Sequence, residues 1–147
     1  MAFTFMNSVL EKAKQKKMTI AIPEVKNEYM IKAAVRATAD GVANIILVGD
    51  PADVAKTAEA CGVDVSGIRI VDVNDSAYKE ELLEKYDASP NKAMPKKFVG
   101  KRIDNPLYLA SLPQAVGEAD GTLAGVDTTT YEFVLAAKSI IGMQPNC

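Results

Sequence analysis

Residues 19–51, TIAIPEVKNEYMIKAAVRATADGVANIILVGDP, contain a strand, a helix and a second strand in immediate succession. The first apolar run carries β-branched residues and stops at Pro23, which is typical of a buried strand. After Asn27, apolar residues recur on one helical face, at Met30, Ala33, Ala34 and Ala37. Gly41 supplies the left-handed stop expected after the last helical turn. Residues 44–48 then predict a second buried strand.

The alternation continues toward the carboxyl end of the chain. The turn at residues 49–51 leads into a helix with Pro in its first turn, where the missing N–H costs nothing, and with Val54, Ala55 and Ala58 facing inward. Residues 68–71 predict a third strand. Asp75 is expected to cap a helix that runs to about Tyr86, and residues 87–97 form a polar, Pro-bearing break.

The rest of the chain adds three predicted helices and one predicted strand. Residues 105–116 have helical spacing, although Pro113 is expected to kink or divide that helix. Residues 121–125 predict a short strand, and an apolar helix follows from about residue 131 to 141. The first dozen residues predict an amphipathic helix that packs by one apolar face, made of Phe5, Val9, Leu10 and Ala13.

Strands that alternate with helices of this length indicate βαβ units, whose crossovers place helices on both faces of a parallel sheet. The predicted fold class is therefore α/β, with three layers, α/β/α, and a mostly parallel sheet. A chain of 147 residues with 48% hydrophobic residues is long enough for one core. We expect residues 1–147 to form one domain, or an incomplete piece of a larger one.

Composition argues against several classes of partner. The formal net charge is −2, and no basic patch suggests binding to nucleic acid. No run approaches the roughly 18 apolar residues of a membrane span, so a soluble, cytoplasmic protein is expected. The two cysteines, Cys61 and Cys147, lie far apart and the chain lacks histidine, so we predict neither a disulfide framework nor a metal site.

Two short stretches concentrate the lysines. Residues 12–17 are interpreted as the solvated end of the first helix. Residues 96–102 lie in the Pro-containing connection, and their charge is compatible with either a solvated loop or a loop that contacts an anion.

The turn after residues 121–125 is the best candidate binding site in the sequence. Ligands of open parallel sheets bind outside the carboxyl ends of the strands, where helix N-termini favour anions. Here Gly125 allows close backbone approach, and Thr128, Thr129 and Thr130 open the last helix. The alternative is that Thr128 or Thr129 merely caps that helix, and the charge of Asp127 opposes phosphate. The residues leave both interpretations open.

No familiar nucleophile arrangement is present. The chain has no histidine to activate a serine or cysteine, and it contains no GxSxG elbow, Walker A loop or GxGxxG fingerprint. The acidic pairs Glu80–Glu81 and Glu118–Asp120 are interpreted as solvated helix faces rather than catalytic dyads.

Four stretches resemble the phosphate acetyltransferase and phosphate butyryltransferase family: IAIPE at 20–24, MIKAAVRATADGVANIILVGDP at 30–51, IRIVDV at 68–73, and NPLYLASLPQAVGEADGTLAGVDTTT at 105–130. The resemblance covers nearly the whole chain but less than half of a family polypeptide. It implies a fold like that of isocitrate and isopropylmalate dehydrogenases, incomplete here because the C-terminal domain of the family is absent. It also implies acyl transfer between coenzyme A and inorganic phosphate, with acyl-CoA, acyl phosphate and phosphate as substrates, no bound cofactor, and a homo-oligomer, commonly a dimer.

The resemblance also identifies two departures from the family pattern. A basic stretch expected before the helix at 105 is replaced by EKYDASPNK at 84–92, and Val134 stands where the family has an arginine. Arginine offers phosphate a bidentate fork that valine cannot replace. We expect that nearby basic residues substitute as anion contacts, namely Lys96, Lys97, Lys101 and Arg102.

Three functions are therefore weighed. The first is a phosphate acyltransferase-type protein, as a fragment or shortened relative that is inactive alone. The second is a non-catalytic relative that acts as a partner or regulatory module, which the missing arginines favour. The third is a phosphorylation-receiver domain, for which Glu24 and Asp72 lie suitably at strand ends; the family-like stretches disfavour it.

Overall fold

The computed structural model describes residues 2–144 and the side chains of residues 4–144. Cys147, considered above for a disulfide or metal site, lies outside the described residues. Helices and strands alternate along the described chain, in the order α1 (Ala2–Gln15), β1 (Met18–Ile22), α2 (Glu28–Ala39), β2 (Ala43–Gly49), α3 (Pro51–Cys61), β3 (Arg69–Asp72), α4 (Ser76–Ala88), α5 (Lys96–Gly100), α6 (Pro106–Ala115), β4 (Gly121–Thr122) and α7 (Thr130–Ile140).

The four strands form one parallel sheet in the order β3-β2-β1-β4. β4 is only two residues long, but contacts beyond it extend its attachment to β1. The amide of Asp120 donates to the carbonyl of Thr19 at 2.8 Å, and the amide of Leu123 donates to the carbonyl of Ala21 at 2.9 Å. The carboxyl ends of β1, β2 and β4 therefore lie side by side.

Alternation along the central strands produces two hydrophobic cores, because successive side chains of a strand point to opposite faces. On β2, Ile46 and Val48 join a core with α4, α5, α6 and α7. The intervening Ile45 and Leu47 join the other core, with α2 and α3. Helices thus cover both faces, which confirms the predicted three-layer α/β fold.

Most local predictions of helix starts and stops are confirmed. Asn27, Asp50, Asp75 and Asn105 each accept a backbone N–H at the start of the following helix. Gly41 has a φ of 69°, as its predicted role requires. These signals are local, which explains why the sequence reveals them.

Two predictions about packing are wrong. The apolar face of α1 does not pack within the described chain, since Phe5 is 72% exposed and Val9 is 43% exposed. Pro113 does not divide α6, because it lies in the last turn of one continuous helix and its carbonyl accepts the amides of Glu118 and Ala119.

The interpretation of Glu118 and Asp120 as a solvated helix face is wrong about the helix, although Asp120 is exposed. Both lie between α6 and β4, where Asp120 accepts the amide of Thr19 at 2.7 Å. Glu118 accepts the hydroxyl of Tyr78 at 2.8 Å and the ammonium of Lys85 at 2.7 Å. These carboxylates therefore join separate elements of the fold. Glu80 and Glu81, in contrast, are exposed on α4 as predicted.

Candidate functional site

The connection between β4 and α7 folds around a single carboxylate, that of Glu24. Oε1 of Glu24 accepts the amides of Gly125 at 3.0 Å, Asp127 at 3.0 Å and Thr128 at 2.8 Å. Oε2 accepts the amide of Val126 at 3.1 Å. We call residues 125–128 the amide loop. Glu24 reaches it because Pro23 ends β1 directly before it, at the sheet edge where β4 also ends.

Glu24 is 8% exposed, and its environment favours the charged form. Burial by itself would raise the pKa of Glu24, but hydrogen bonds from the amides of Gly125 and Val126, and from both the side chain and the amide of Thr128, lower it, and the net shift is downward. The carboxylate is therefore ionised at neutral pH and is held by the loop that it shapes.

A second contact fixes the same loop to the start of α2. The side-chain amide of Asn27 donates to both carboxylate oxygens of Asp127, at 3.2 and 3.1 Å. The carbonyl oxygen of the Asn27 side chain caps α2 by accepting the amides of Tyr29 and Met30. Asp127, which sequence reasoning treated only as a charge opposed to phosphate, is thus part of the scaffold.

Gly125 has a φ of 123°, a value that favours glycine. A Cβ added there would meet no protein atom within 4 Å. Glycine is therefore required at position 125 because of its backbone angle and not because a neighbouring protein atom leaves no room for a side chain. The prediction that Gly125 lets a ligand approach the backbone closely stays a prediction.

The three threonines have different surroundings. Thr129 is the N-cap of α7 and forms a capping box with Glu132, in which the Thr129 hydroxyl accepts the Glu132 amide at 3.3 Å and the Glu132 carboxylate accepts the Thr129 amide at 3.1 Å. The capping role is confirmed. Thr130 is the first, exposed residue of the helix. Thr128 lies beside a cavity.

This cavity has a volume of about 390 Å³, a size that suits a small ligand. Its wall contains both polar and apolar side chains and consists of Asn105, Leu107, Tyr108, Asp127, Thr128, Glu132 and Leu135. The wall includes two carboxylates and neither lysine nor arginine. Asn105, at the start of α6, is a candidate that sequence reasoning did not single out, although its position before Pro106 marks a helix start.

A second cavity of about 440 Å³ lies on the other side of Asp127, across the ends of β1, β2 and β3. Lys26 is its basic residue, and it pairs with Asp53 at 3.2 Å. The other charges are carboxylates, from Glu24, Asp50, Asp53 and Asp127. Both cavities are therefore acidic where they are open to solvent.

The expected substitute anion contacts lie elsewhere. Lys96 pairs with Glu80 at 2.7 Å and also with Glu84. Lys97, Lys101 and Arg102 line a separate cavity of about 490 Å³ with Pro95 and Phe98, and the Arg102 guanidinium lies 3.9 Å from the centre of the Phe98 ring. The described walls of the Thr128 cavity contain none of these four residues.

Val134, at the position assigned to a family arginine, is 46% exposed on α7. Among the described residues, no group of three or more potential ligands is arranged to hold a metal ion. No helix described here is both long and apolar enough to cross a membrane.

Sequence comparison places the chain among acyltransferases. The family model for phosphate acetyl/butaryl transferase matches residues 4–147. The phosphate acetyltransferase of Helicobacter pylori is 28% identical over 142 residues, which are 96% of this chain and 27% of the relative. That of Acetivibrio thermocellus is 29% identical over 143 residues, which are 97% of this chain and 42% of the relative.

Structure comparison agrees with the sequence match. EutD phosphotransacetylase from Staphylococcus aureus superposes with a TM-score of 0.78 at 25% identity, over 96% of this chain and 44% of its own. The chain spans less than half the length of these relatives. With a family match that covers all but its first three residues, the chain belongs to the phosphate acetyltransferase and phosphate butyryltransferase family.

Proposed function

We propose that this chain supplies one side of a site at which an acyl group moves between coenzyme A and inorganic phosphate. The family match over residues 4–147 carries the proposal. In the reaction, the thiol sulfur of coenzyme A attacks the carbonyl carbon of an acyl phosphate. The bond from that carbon to the phosphate oxygen breaks, inorganic phosphate leaves, and the thiol proton is released. Coenzyme A is a substrate here rather than a resident cofactor.

The cavity beside Thr128 is the proposed position of the acyl phosphate. It is lined by the first turn of α6, by the connection that follows the carboxyl end of β4, and by α7, and α/β proteins bind ligands in such connections after parallel strands. Thr128 and Asn105 offer uncharged polar groups to phosphate oxygens, while Leu107 and Leu135 offer an apolar surface for a short acyl chain. Gly125, Thr129 and Thr130 support this site by shaping the turn and starting α7.

Charge supports the idea that the chain does not act alone. Two carboxylates line the cavity, and each repels a phosphate charge 4 Å away by about 1 kcal/mol in water and by more where water is excluded. The positive charge that retains phosphate must then come from outside this wall. We propose that the matching C-terminal portion of a family protein supplies it, with Lys96, Lys97, Lys101 and Arg102 as a second source.

A thioester assay with acetyl phosphate and coenzyme A tests this function. We expect no turnover by the chain alone, and turnover when the unmatched C-terminal portion of the Acetivibrio thermocellus relative is added in trans. Thr128→Val should lower the rate of the mixture, and Thr4→Val, at an exposed position of α1 outside the cavity wall, is the matched control. Alanine variants of Lys96, Lys97, Lys101 and Arg102, made one at a time, test whether these residues supply positive charge to the site.

Two results would refute the proposal. Turnover by the chain alone at the rate of a full-length relative would remove the need for a second portion. A mixture that forms a complex but yields no thioester, with any of several acyl phosphates, would favour the non-catalytic module. The homo-oligomer and the cytoplasmic location stay predictions, and sedimentation of the purified protein tests the first.

A further inference from the structure

Four consecutive backbone amides, from Gly125 to Thr128, converge on the Glu24 carboxylate at distances between 2.8 and 3.1 Å. Among the described backbone contacts, none of these four amides donates to a carbonyl. The four backbone amides of the loop therefore depend for their acceptor on one side chain that lies 101 to 104 residues away in sequence, while the other attachment of the loop, from Asn27 to Asp127, joins two side chains.

We infer that Glu24 is a positioning residue of the acyl phosphate site, which it serves by occupying the loop amides and thereby holding Thr128 at the cavity. The assignment of Thr128 to an acyl phosphate site rests on the proposed function. A turn of successive unpaired amides can hold an anion, but in residues 125–128, which precede α7, the protein's own carboxylate already accepts all four amides. Substrate phosphate is therefore received by side chains of the cavity wall, above all Thr128 and Asn105, and not by the amides of residues 125–128.

The geometry distinguishes this role from ordinary packing. Glu24 contributes a charge and two acceptor oxygens, so its role can be replaced by a small carboxylate but not by an apolar group of similar size. Because Oε1 accepts three amides and Oε2 accepts that of Val126 alone, a glutamine that keeps its oxygen at Oε1 leaves only the Val126 amide without an acceptor.

Amide resonances and hydrogen exchange of residues 125–128 provide the main test. Glu24→Ala should speed exchange of the four amides at least tenfold, and added formate should restore slow exchange, whereas chloride at the same ionic strength should not. Glu24→Gln should speed exchange chiefly at Val126. Unchanged exchange in Glu24→Ala, or a loss that formate does not reverse, would overturn the inference.

Wild-type protein provides a second arm, which is needed if Glu24→Ala fails to fold. Because the pKa of Glu24 lies below its ordinary value of 4.5, the carboxylate contacts are complete above that pH and are lost as pH falls through the lowered value. The four amide resonances should then shift together. Other charged groups border the same cavity, namely Asp50, Asp53, Asp127 and Lys26. The shift of the amide resonances is therefore assigned to Glu24 only if Glu24→Gln abolishes it. A shift that survives in Glu24→Gln counts against the inference.

Titration with inorganic phosphate at neutral pH, on the mixture of this chain with the C-terminal portion of the Acetivibrio thermocellus relative, separates this inference from the proposed function. We expect the methyl resonance of Thr128 and the side-chain amide of Asn105 to shift while the four loop amides stay in place. Equal shifts of the loop amides would show that they receive the ligand, which would refute the inference. If phosphate shifts no resonance, the proposed site fails, and the formate result still decides whether Glu24 positions the loop.

Discussion

Gly49→Ala should destabilise the fold because one added methyl group overlaps Val25. Gly49 ends β2, and a Cβ placed there would lie 2.3 Å from Cγ2 of Val25 and 3.1 Å from Cγ1. A separation under 3.0 Å requires one of the two residues to move. Val25 is 3% exposed and follows Glu24 directly, so movement of its backbone would disturb the residue that holds the amide loop.

Overpacking of this kind costs about 1–3 kcal/mol. Val25→Ala removes both clashing methyl groups and should itself cost about 1.5–2 kcal/mol, at about 0.8 kcal/mol for each buried group. In the double variant, the methyl group added at position 49 then faces only the Cβ of residue 25, at 3.3 Å. The double variant should therefore be about as stable as Val25→Ala alone, which corresponds to a coupling free energy of about −1 to −3 kcal/mol.

Urea unfolding of the four proteins, followed by circular dichroism, measures this cycle. Gly67→Ala is the matched control, because a Cβ at Gly67 would meet no atom within 4 Å, and its effect should stay within about 1 kcal/mol. If the effects of the two single substitutions add to within about 0.5 kcal/mol in the double variant, the overlap does not determine the cost and the reasoning is wrong.

Three further tests concern the cap of α7, the partly buried phenol of Tyr78 and the packing of the core. Thr129→Ala should lose about 1 kcal/mol of unfolding free energy, because it removes the capping box of α7; an unchanged urea midpoint would contradict this. Burial, then a hydrogen bond to a carboxylate, raises the pKa of Tyr78 to about 12, so alkaline absorbance titration of Tyr78→Phe should lack a phenol step near pH 12 that the wild-type protein and Tyr131→Phe both show. The stability linked to this shift is complete below pH 10 and is lost as pH rises toward 12. Leu112→Ala, in the core, should cost about 2–5 kcal/mol, while Phe5→Ala should change stability by less than about 0.5 kcal/mol because α1 does not pack within the described chain.

The sequence predicts the elements of this fold because their signals are local. Proline ends β1, asparagine and aspartate cap helices, and apolar spacing separates strands from helices, each within a window of a few residues. The order of elements then leaves few topologies, because parallel strands need helical crossovers. Even Thr129 could be identified as a possible cap, since the residues that decide its role are adjacent to it.

The site could be predicted only in part, because its decisive contacts join distant segments. Glu24 and the amide loop are more than 100 residues apart, and nothing near either one identifies the other as its partner. The same is true of Glu118, whose partners Tyr78 and Lys85 lie 40 and 33 residues away. The burial of a carboxylate depends on the folded chain, so a charged residue in the sequence is assigned to the surface until its partners are found.

The turn held by Glu24 is compatible with both interpretations of its threonines, as a helix cap and as part of a binding site. A turn with unpaired amides attracts anions in general, yet here the internal carboxylate of Glu24 accepts the four amides of residues 125–128, which precede α7, and Thr129 caps the helix. What the turn still offers to a ligand is the side of Thr128 that faces the cavity. The cavity is acidic, and the loop beside it already holds an internal carboxylate, so phosphate binding there requires added positive charge. The affinity of this surface for phosphate should therefore be higher in a complex with a basic partner than in the chain alone.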